Sequence, residues 1–253
     1  MRVFATDGSV VFDRFVYEPE FRGGVRVATG DLLRNFFAFE DSLRVGAFIS
    51  AADVNGDGFA DYAVTAGAGG GPRVALFDGK TGERLVPDFL AFDGAERTGF
   101  TVALGDFDGD GQAEIAVGQA AASSQVRIFT LAGVFRAETL VYEPTFTGGI
   151  NLAVGDTDGN GRQELLTGAG PGGGPRVRAL SLVGTTLEEV GNGFSFDSAG
   201  RSGVRVGSAV GATGRPSLYV GLAGRTRTAD RGIPIAGDDT PFGDDYLGGI
   251  WVS

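Results

Sequence analysis

Short apolar segments recur along the chain, and each is separated from the next by a loop rich in glycine or in acidic residues. Segments of this length that are bounded by turn residues are typical of β-strands, and none of them has the sustained period of an amphipathic helix. The pattern therefore predicts an all-β protein. In residues 44–92 it predicts four strands, at about 45–51, 61–66, 73–77 and 84–92.

An acidic loop of nine residues occurs three times. The sequence D-V-N-G-D-G-F-A-D at 53–61 is matched by D-F-D-G-D-G-Q-A-E at 106–114 and by D-T-D-G-N-G-R-Q-E at 156–164. The copies begin 53 and 50 residues apart, and each lies between two apolar segments. Four short strands in a unit that repeats about every 50 residues predict the four-stranded blades of a β-propeller.

A second repeated feature is an aromatic residue followed by an acidic one at the end of a strand-like segment. The aromatic members are Tyr17, Phe39, Phe92, Tyr142 and Phe196. Because they fall at equivalent places in successive units, we interpret them as core between neighbouring blades; a platform for binding sugars is the alternative. The first two are only 22 residues apart. Either recombination removed part of a unit between Asp31 and Leu32, or a natural loop is short there.

These features predict one domain over residues 1–253, made of repeat units at about 1–23, 24–43, 44–98, 99–148, 149–202 and 203–253. First strands near residues 24, 44, 99, 149 and 203 predict five blades. The blade that begins near 24 is abbreviated. The one that begins near 203 is a composite, completed by N-terminal and C-terminal strands that close the ring. An open fragment that associates through its exposed strand edges is the alternative.

The acidic loops carry the side chains of a calcium site. Oxygen-bearing side chains stand at positions 1, 3, 5 and 9, and glycine at position 6 allows a sharp turn. Ca²⁺ takes six to eight oxygen ligands in flexible geometry, whereas Mg²⁺ demands a strict octahedron, and zinc or copper prefer nitrogen and sulfur. The acid at position 9 also excludes an EF-hand, whose last ligand is at position 12. An ordinary Asx-Gly turn between strands is the alternative.

Three aligned copies favour the metal site over the turn. We expect up to three Ca²⁺ ions, each bound by four side chains and by the backbone carbonyl at position 7. The expected ligands are Asp53, Asn55, Asp57, Phe59 and Asp61 in the first loop, Asp106, Asp108, Asp110, Gln112 and Glu114 in the second, and Asp156, Asp158, Asn160, Arg162 and Glu164 in the third. Since each ion would hold like charges together, we expect a mainly structural role.

The acidic loop, followed by a strand and a glycine-rich turn, resembles FG-GAP or VCBS-type repeats, whose best-known relative is the integrin α-subunit propeller. The turn reads G-A-G-G-G-P-R-V at 67–74 and G-A-G-P-G-G-G-P-R-V at 168–177, and the resemblance covers about residues 1–221. The chain departs from the pattern in A-A-A-S-S-Q-V at 120–126 and in the acid-free loop at 210–217. The resemblance implies a propeller whose loops between first and second strands bind Ca²⁺, as in bacterial extracellular proteins.

Composition excludes several kinds of chemistry. The chain has no histidine and no cysteine, so it has neither a Ser-His-Asp or Cys-His catalytic group nor a histidine-based zinc site. Its net charge is −11 and it has no basic cluster, which argues against a nucleic-acid partner. It has no apolar run long enough to span a membrane, and the N-terminal sequence M-R-V-F-A-T-D-G-S has no signal-peptide core.

We therefore predict a calcium-stabilised binding, adhesion or structural module without catalytic residues or an organic cofactor. It would be extracellular or at the bacterial cell surface, with a protein or glycan ligand, as a monomer or an oligomer formed through strand edges. The alternatives are a lectin-like propeller that binds carbohydrate and an enzyme acting on polysaccharides. The acidic stretch with Asp238, Asp239, Asp244, Asp245 and Tyr246 is the one polar cluster outside the repeats that could contain another site.

Overall fold

The computed structural model describes residues 2–4, 10–13, 38–40, 42–195, 198–210 and 216–222. Every regular element in these residues is a β-strand, and no helix among them is long and apolar enough to cross a membrane. The strands are β1 (Arg2–Phe4), β2 (Val10–Asp13), β3 (Ala47–Ala52), β4 (Asp61–Ala66), β5 (Arg73–Phe77), β6 (Phe89–Leu90), β7 (Phe100–Gly105), β8 (Glu114–Gln119), β9 (Gln125–Thr130), β10 (Phe135–Leu140), β11 (Ile150–Gly155), β12 (Glu164–Ala169), β13 (Arg176–Val183), β14 (Thr186–Phe194), β15 (Val204–Val210) and β16 (Pro216–Leu222).

The strands form three four-stranded antiparallel sheets in which chain order is also spatial order. They are β3-β4-β5-β6, β7-β8-β9-β10 and β11-β12-β13-β14, and two further pairs are β1-β2 and β15-β16. This architecture confirms the predicted all-β class and the repeated four-stranded unit. The seam between Asp31 and Leu32 and the acidic stretch beyond residue 222 lie outside the described residues, so the blade count and the closure of the ring stay predictions.

One predicted strand is much shorter in the structure. The sequence predicts a fourth strand at 84–92, but β6 comprises only Phe89–Leu90, with a separate bridge between Phe77 and Arg84. Pro87 lies between the two paired regions and has no amide hydrogen to donate to a neighbouring strand. Pro87 therefore interrupts the strand, and the alternation of apolar and polar residues does not predict this interruption.

The first and second strands of each sheet pair in the same register. Ala52 lies opposite Asp61, Gly105 opposite Glu114, and Gly155 opposite Glu164, so the final acid of every acidic loop closes its hairpin. All six residues of each second strand are buried. The acidic loops therefore begin and end on a fixed pair of strands.

Neighbouring sheets meet through their first strands: β3 contacts β7, β7 contacts β11, and β11 contacts β15. Polar side chains reinforce these contacts. The Thr101 hydroxyl donates to the carbonyl of Ile150 at 3.2 Å, and the Asn151 amide donates to the carbonyl of Val204 at 2.9 Å. The first strands therefore lie side by side, in the order of the units along the chain.

The repeated aromatic residues pack between units, as the sequence predicts. Phe92 and Tyr142 are buried in two hydrophobic clusters, and Phe39 packs against a third. An arginine from the following unit lies over each ring, with Arg127 4.7 Å from the Phe92 centroid and Arg178 5.4 Å from that of Tyr142. Tyr17 and Phe196 lie outside the described residues.

Phe107 provides a test of this packing between units. It is fully buried within the second acidic loop, and its carbonyl accepts a hydrogen bond from the amide of Leu182 in the third sheet at 3.0 Å. We expect Phe107→Ala to lower the free energy of unfolding by about 3–5 kcal/mol, measured by urea denaturation. Phe135→Ala is the control, because Phe135 is 53% exposed. Equal losses in the two variants would contradict the assignment of Phe107 to the core.

Candidate metal centre

The first residue of each acidic loop fixes the turn that follows it. The carboxylate of Asp106 accepts hydrogen bonds from the amides of Gly109 at 2.7 Å, Asp110 at 3.1 Å and Gly111 at 2.9 Å. The two glycines have φ values of +76° and +88°, in the left-handed region that other residues rarely enter. The same amide bonds and glycine conformations recur in the other two loops. The turn is therefore built by local contacts alone.

The residue at position 5 accepts a hydrogen bond from the amide at position 7. The oxygen–nitrogen distances are 2.9 Å for Asp57 and Phe59, 2.8 Å for Asp110 and Gln112, and 2.7 Å for Asn160 and Arg162. One side-chain oxygen that the sequence assigns to a metal is thus engaged by the backbone.

Positions 1, 3 and 9 converge in the second and third loops. One carboxylate oxygen from each residue lies within 4.8 Å of the others in two triads, Asp106, Asp108 and Glu114, and Asp156, Asp158 and Glu164. In the first loop position 3 is Asn55, and the acids Asp53, Asp57 and Asp61 do not form such a triad. The carboxylate Asp110 at position 5 lies outside its triad.

The acid at position 9 is buried in all three loops: Asp61 is 0%, Glu114 2% and Glu164 1% exposed. One oxygen of each accepts a hydrogen bond from the amide at position 2, at 3.1, 3.0 and 2.7 Å respectively. Burial of a charge is costly unless partners compensate it. The contacts of the second oxygen therefore decide whether protein groups compensate the carboxylate in each loop.

The second oxygen has a different environment in each loop. Asp61 Oδ1 accepts a hydrogen bond from the amide of Gly79 at 2.9 Å. Glu114 Oε1 lies 3.9 Å from Nη1 of Arg136. Glu164 Oε1 is buried and has no hydrogen-bond partner in the part of the chain that the structure describes. The second carboxylate oxygen is therefore hydrogen-bonded in the first loop, partly compensated by an arginine in the second, and without a described partner in the third.

Residues 53–117, from the start of the first acidic loop to the middle of β8, match the family model of the FG-GAP-like repeat. The chain contains an FG-GAP-like repeat. The resemblance noted in the sequence is thereby confirmed for these residues, which include the first two acidic loops. No curated protein sequence is significantly similar to the chain.

Solved structures similar to this chain include three rhamnogalacturonan lyases. They are the exotype enzyme YesX, the enzyme YesW and an enzyme from Bacillus licheniformis, at 16%, 15% and 16% sequence identity and TM-scores of 0.49, 0.48 and 0.49. The aligned region covers 68% of this chain and 37%, 39% and 39% of those structures. The chain therefore spans less than two fifths of the length of each.

Arg136 contacts the second acidic loop from outside the matched residues, and the sequence does not reveal this contact. Its Nη2 donates to Asp108 Oδ2 at 2.8 Å, close to the carboxylate of Glu114. Arg136 lies at a register shift between Phe135 and Ala137 in β10, and such bulges redirect side chains. The guanidinium is thus the counter-charge of the second loop, in a position that its strand pattern alone would not predict.

The second and third loops also contact one another. Gln163 Oε1 accepts a hydrogen bond from the amide of Asp106 at 3.0 Å, and the amide of Gln163 donates to the carbonyl of Asp106 at 3.2 Å. The side chain of Arg162, whose carbonyl the sequence assigns to the third site, lies against Gly109 of the second loop, where a Cβ would come within 2.8 Å of its Nε. The two acidic triads therefore share a boundary.

Burial raises the pKa of two of the acids at position 9. Burial, followed by the nearby charges of Asp108, Asp106 and Asp110, raises the pKa of Glu114 to about 7. Burial also raises the pKa of Asp61, against its two amide hydrogen bonds. By contrast, hydrogen bonds from the loop amides lower the pKa of Asp156 at position 1 of the third loop. Asp156 thus favours the charged carboxylate, whereas Glu114 tends to retain its proton.

Stability without metal should therefore depend on pH. Because the folded protein binds the Glu114 proton more tightly than the unfolded chain, the contribution of Glu114 to folding stability is fully present below about pH 4.5 and is lost as pH rises through about 7. With a chelator present, we expect Glu114→Gln to remove about 1–2 kcal/mol of this loss between pH 5 and 8, after allowance for solvent screening. Urea denaturation measures the change, with exposed Glu188→Gln as control. Parallel pH profiles in wild type and Glu114→Gln would contradict it.

Arg136 should support the second loop when no metal is present. At pH 8 with a chelator, we expect Arg136→Met to lower the free energy of unfolding by about 1–3 kcal/mol, because Asp108 and Glu114 lose their counter-charge. In Glu114→Gln the same substitution should cost less, and a double-mutant cycle measures that coupling. Arg97→Met is the control, because Arg97 Nη1 bonds carbonyls of its own turn. A coupling energy of zero would refute the assigned role.

Proposed function

We propose that the acidic loops bind Ca²⁺ and that the protein is a calcium-stabilised β-propeller module that binds a ligand without catalysis. The observation that carries the proposal is the buried, unpartnered Oε1 of Glu164 beside the carboxylates of Asp156 and Asp158. A cation would satisfy such a buried oxygen in a cluster of like charges, and Ca²⁺ is the common cation that accepts an all-oxygen ligand set in flexible geometry.

The three loops should not bind equally. In the third loop, Glu164 presents an oxygen that no described protein group occupies. In the second, Arg136 already compensates Asp108, so an ion there would compete with a guanidinium. In the first, Asp61 bonds two backbone amides, and Lys80 lies 3.8 Å from Asp57. We therefore propose that the third loop binds most tightly and the first most weakly.

A bound ion would hold the turn between the first and second strands of a blade. Those strands carry the contacts between units, since first strands of successive sheets lie side by side. Three four-stranded sheets arranged in this way, followed by the β15-β16 pair, support a propeller. We propose five blades, with β1 and β2 completing the last blade.

The absence of histidine and cysteine from the chain supports a binding role rather than catalysis. The acidic triads found among the described residues both lie in loops whose carboxylates also shape the turn. Calcium sites of extracellular modules bind with Kd values of about 10⁻⁴–10⁻³ M. We therefore propose an extracellular or cell-surface location, with a protein or glycan as partner.

Calcium titration tests the proposal. At a free Ca²⁺ concentration about 100 times Kd, each filled site adds about 2.7 kcal/mol, so chelation should lower Tm by about 5–10 °C per site in a chain of this length. We expect Glu164→Gln to remove the tightest site in calorimetric titration and most of this shift. Glu188→Gln changes an exposed acid of β14 and is the matched control. An unchanged Tm in excess chelator, or full binding by Glu164→Gln, would refute calcium binding at this loop.

A further inference from the structure

A pocket of about 280 Å³ lies beside the turn that joins β12 to β13. It lies at the end of the β11-β12 pair that is opposite to the acidic loop. Ala169 lines the pocket and pairs with Ile150 at that end. One wall is the segment after β10, with Tyr142 and Phe146, and the rim includes Phe194 and Arg201. The pocket is thus independent of the carboxylate triads.

The aromatic wall is held in place by the backbone. Tyr142 Oη donates to the carbonyl of Arg176 at 2.9 Å, and the Tyr142 and Phe146 rings meet edge to face at 5.6 Å. The Phe146 ring lies so close to Gly173 that a Cβ there would come within 2.9 Å of it. Phe194, at the end of β14, remains 57% exposed. The pocket therefore offers rigid aromatic surface beside an accessible ring.

Two arginines give the pocket its charge. Arg201 Nη1 donates to the carbonyls of Ser198 at 2.8 Å and Gly200 at 2.7 Å, which fixes the guanidinium at the rim. Arg176 Nε is buried and has no hydrogen-bond partner among the described residues. The carboxylate that pairs with Arg176 is Glu143, 3.7 Å away and 69% exposed. The described lining residues thus carry two positive charges against one negative charge.

At the equivalent place in the first sheet, the arginine is paired with carboxylates of the protein itself. There Arg73 donates to both oxygens of Glu40, at 2.9 and 2.5 Å, and its Nε lies 3.7 Å from Asp88. In the third sheet the residue that corresponds to Asp88 is Asn192, which removes an acid. Among the described residues, Arg176 therefore has one acidic partner, Glu143, where Arg73 has two.

We propose that this pocket binds an acidic sugar, with a uronate ring against Phe146 and Phe194 and its carboxylate on Arg176 and Arg201. Guanidinium groups bind carboxylates with strong, directional hydrogen bonds, and pyranose rings stack their C–H faces on aromatic side chains. Glu143 would accept hydrogen bonds from ring hydroxyls. The proposal deepens the proposed binding function and rests on it, but not on calcium occupancy.

The mixed lining favours an acidic sugar over other anions. A free phosphate would leave the aromatic surface of the pocket uncovered. An acidic peptide would offer a carboxylate but no ring of hydroxyls for Glu143 to accept from. A volume of about 280 Å³ is small for an extended peptide and lies at the lower end of the range for small-molecule sites.

Two matched ligands test the proposal by isothermal titration calorimetry. A β-1,4-linked glucuronate trimer and cellotriose differ only in having carboxylate or hydroxymethyl groups. Free calcium is matched in cell and syringe, because uronates bind it. We expect saturable binding of the trimer at least tenfold tighter than that of cellotriose, and weakened by salt. Equal affinity for the two, no binding of the trimer, or binding of a tetraglutamate peptide in its place would overturn the proposal.

Glycine substitutions locate the binding. A Cβ at Gly174 would make only ordinary contacts, 3.4 Å from Phe194 and 3.6 Å from the Ser198 carbonyl, so Gly174→Leu should fill the pocket without disturbing the core. We expect it to weaken trimer binding at least tenfold, and Arg176→Gln to do the same. Gly71→Leu, at the equivalent turn of the first sheet, is the matched control. Unchanged binding by Gly174→Leu would overturn the assignment.

The two proposals can fail separately. Tm with and without Ca²⁺ is measured on each variant, so that a variant that does not fold is recognised by its melting curve. Folded, calcium-stabilised protein that ignores the trimer would refute the sugar site alone. Trimer binding that persists in excess chelator, with no calcium-dependent shift in Tm, would refute the metal sites alone.

Discussion

A buried carboxylate begins the second strand of every complete sheet, and the architecture around it depends on that charge being compensated. Each carboxylate closes a hairpin whose register is the same in all three sheets. One of its oxygens always binds the amide at position 2, which ties the acidic loop back to the strand that leaves it. The turn, the strand pairing and the burial of the second strand are therefore one cooperative unit.

The other oxygen of that carboxylate is where the repeats diverge. Asp61 reaches a backbone amide because Gly79 has no side chain: a Cβ there would lie 1.7 Å from the Ala60 carbonyl. The longer Glu114 and Glu164 face the loop interior, one toward Arg136 and the other toward no described protein group. A loop that satisfies its own acid has little need of a cation. The same fold thus compensates one buried carboxylate to different degrees through a few changes around it.

The parts of the site that could be predicted from sequence are those built by local contacts. The three amide bonds to the first acid join residues at most five apart, and the glycines that permit them are visible in the motif. Arg136 could not be predicted, because it enters from an outer strand 28 residues after Asp108 and through a bulge. Nor could the role of position 5, whose oxygen could bind either a metal or an amide until the turn is built. The strand repeat was predictable for the same reason as the loops, whereas Pro87 shortened β6 against its apolar pattern.

The two ends of the β11-β12 pair differ in charge. At one end, Gly155 and Glu164 close an acidic loop with three converging carboxylates. At the other, where Ile150 pairs with Ala169, the described residues lining the adjoining pocket include two arginines and one acid. Six paired residues place these ends about 17 Å apart, beyond the Debye length at physiological salt, so neither charge cluster can neutralise the other. If both proposed sites bind, each end takes its own partner, and a six-residue ladder of hydrogen bonds connects the two ends.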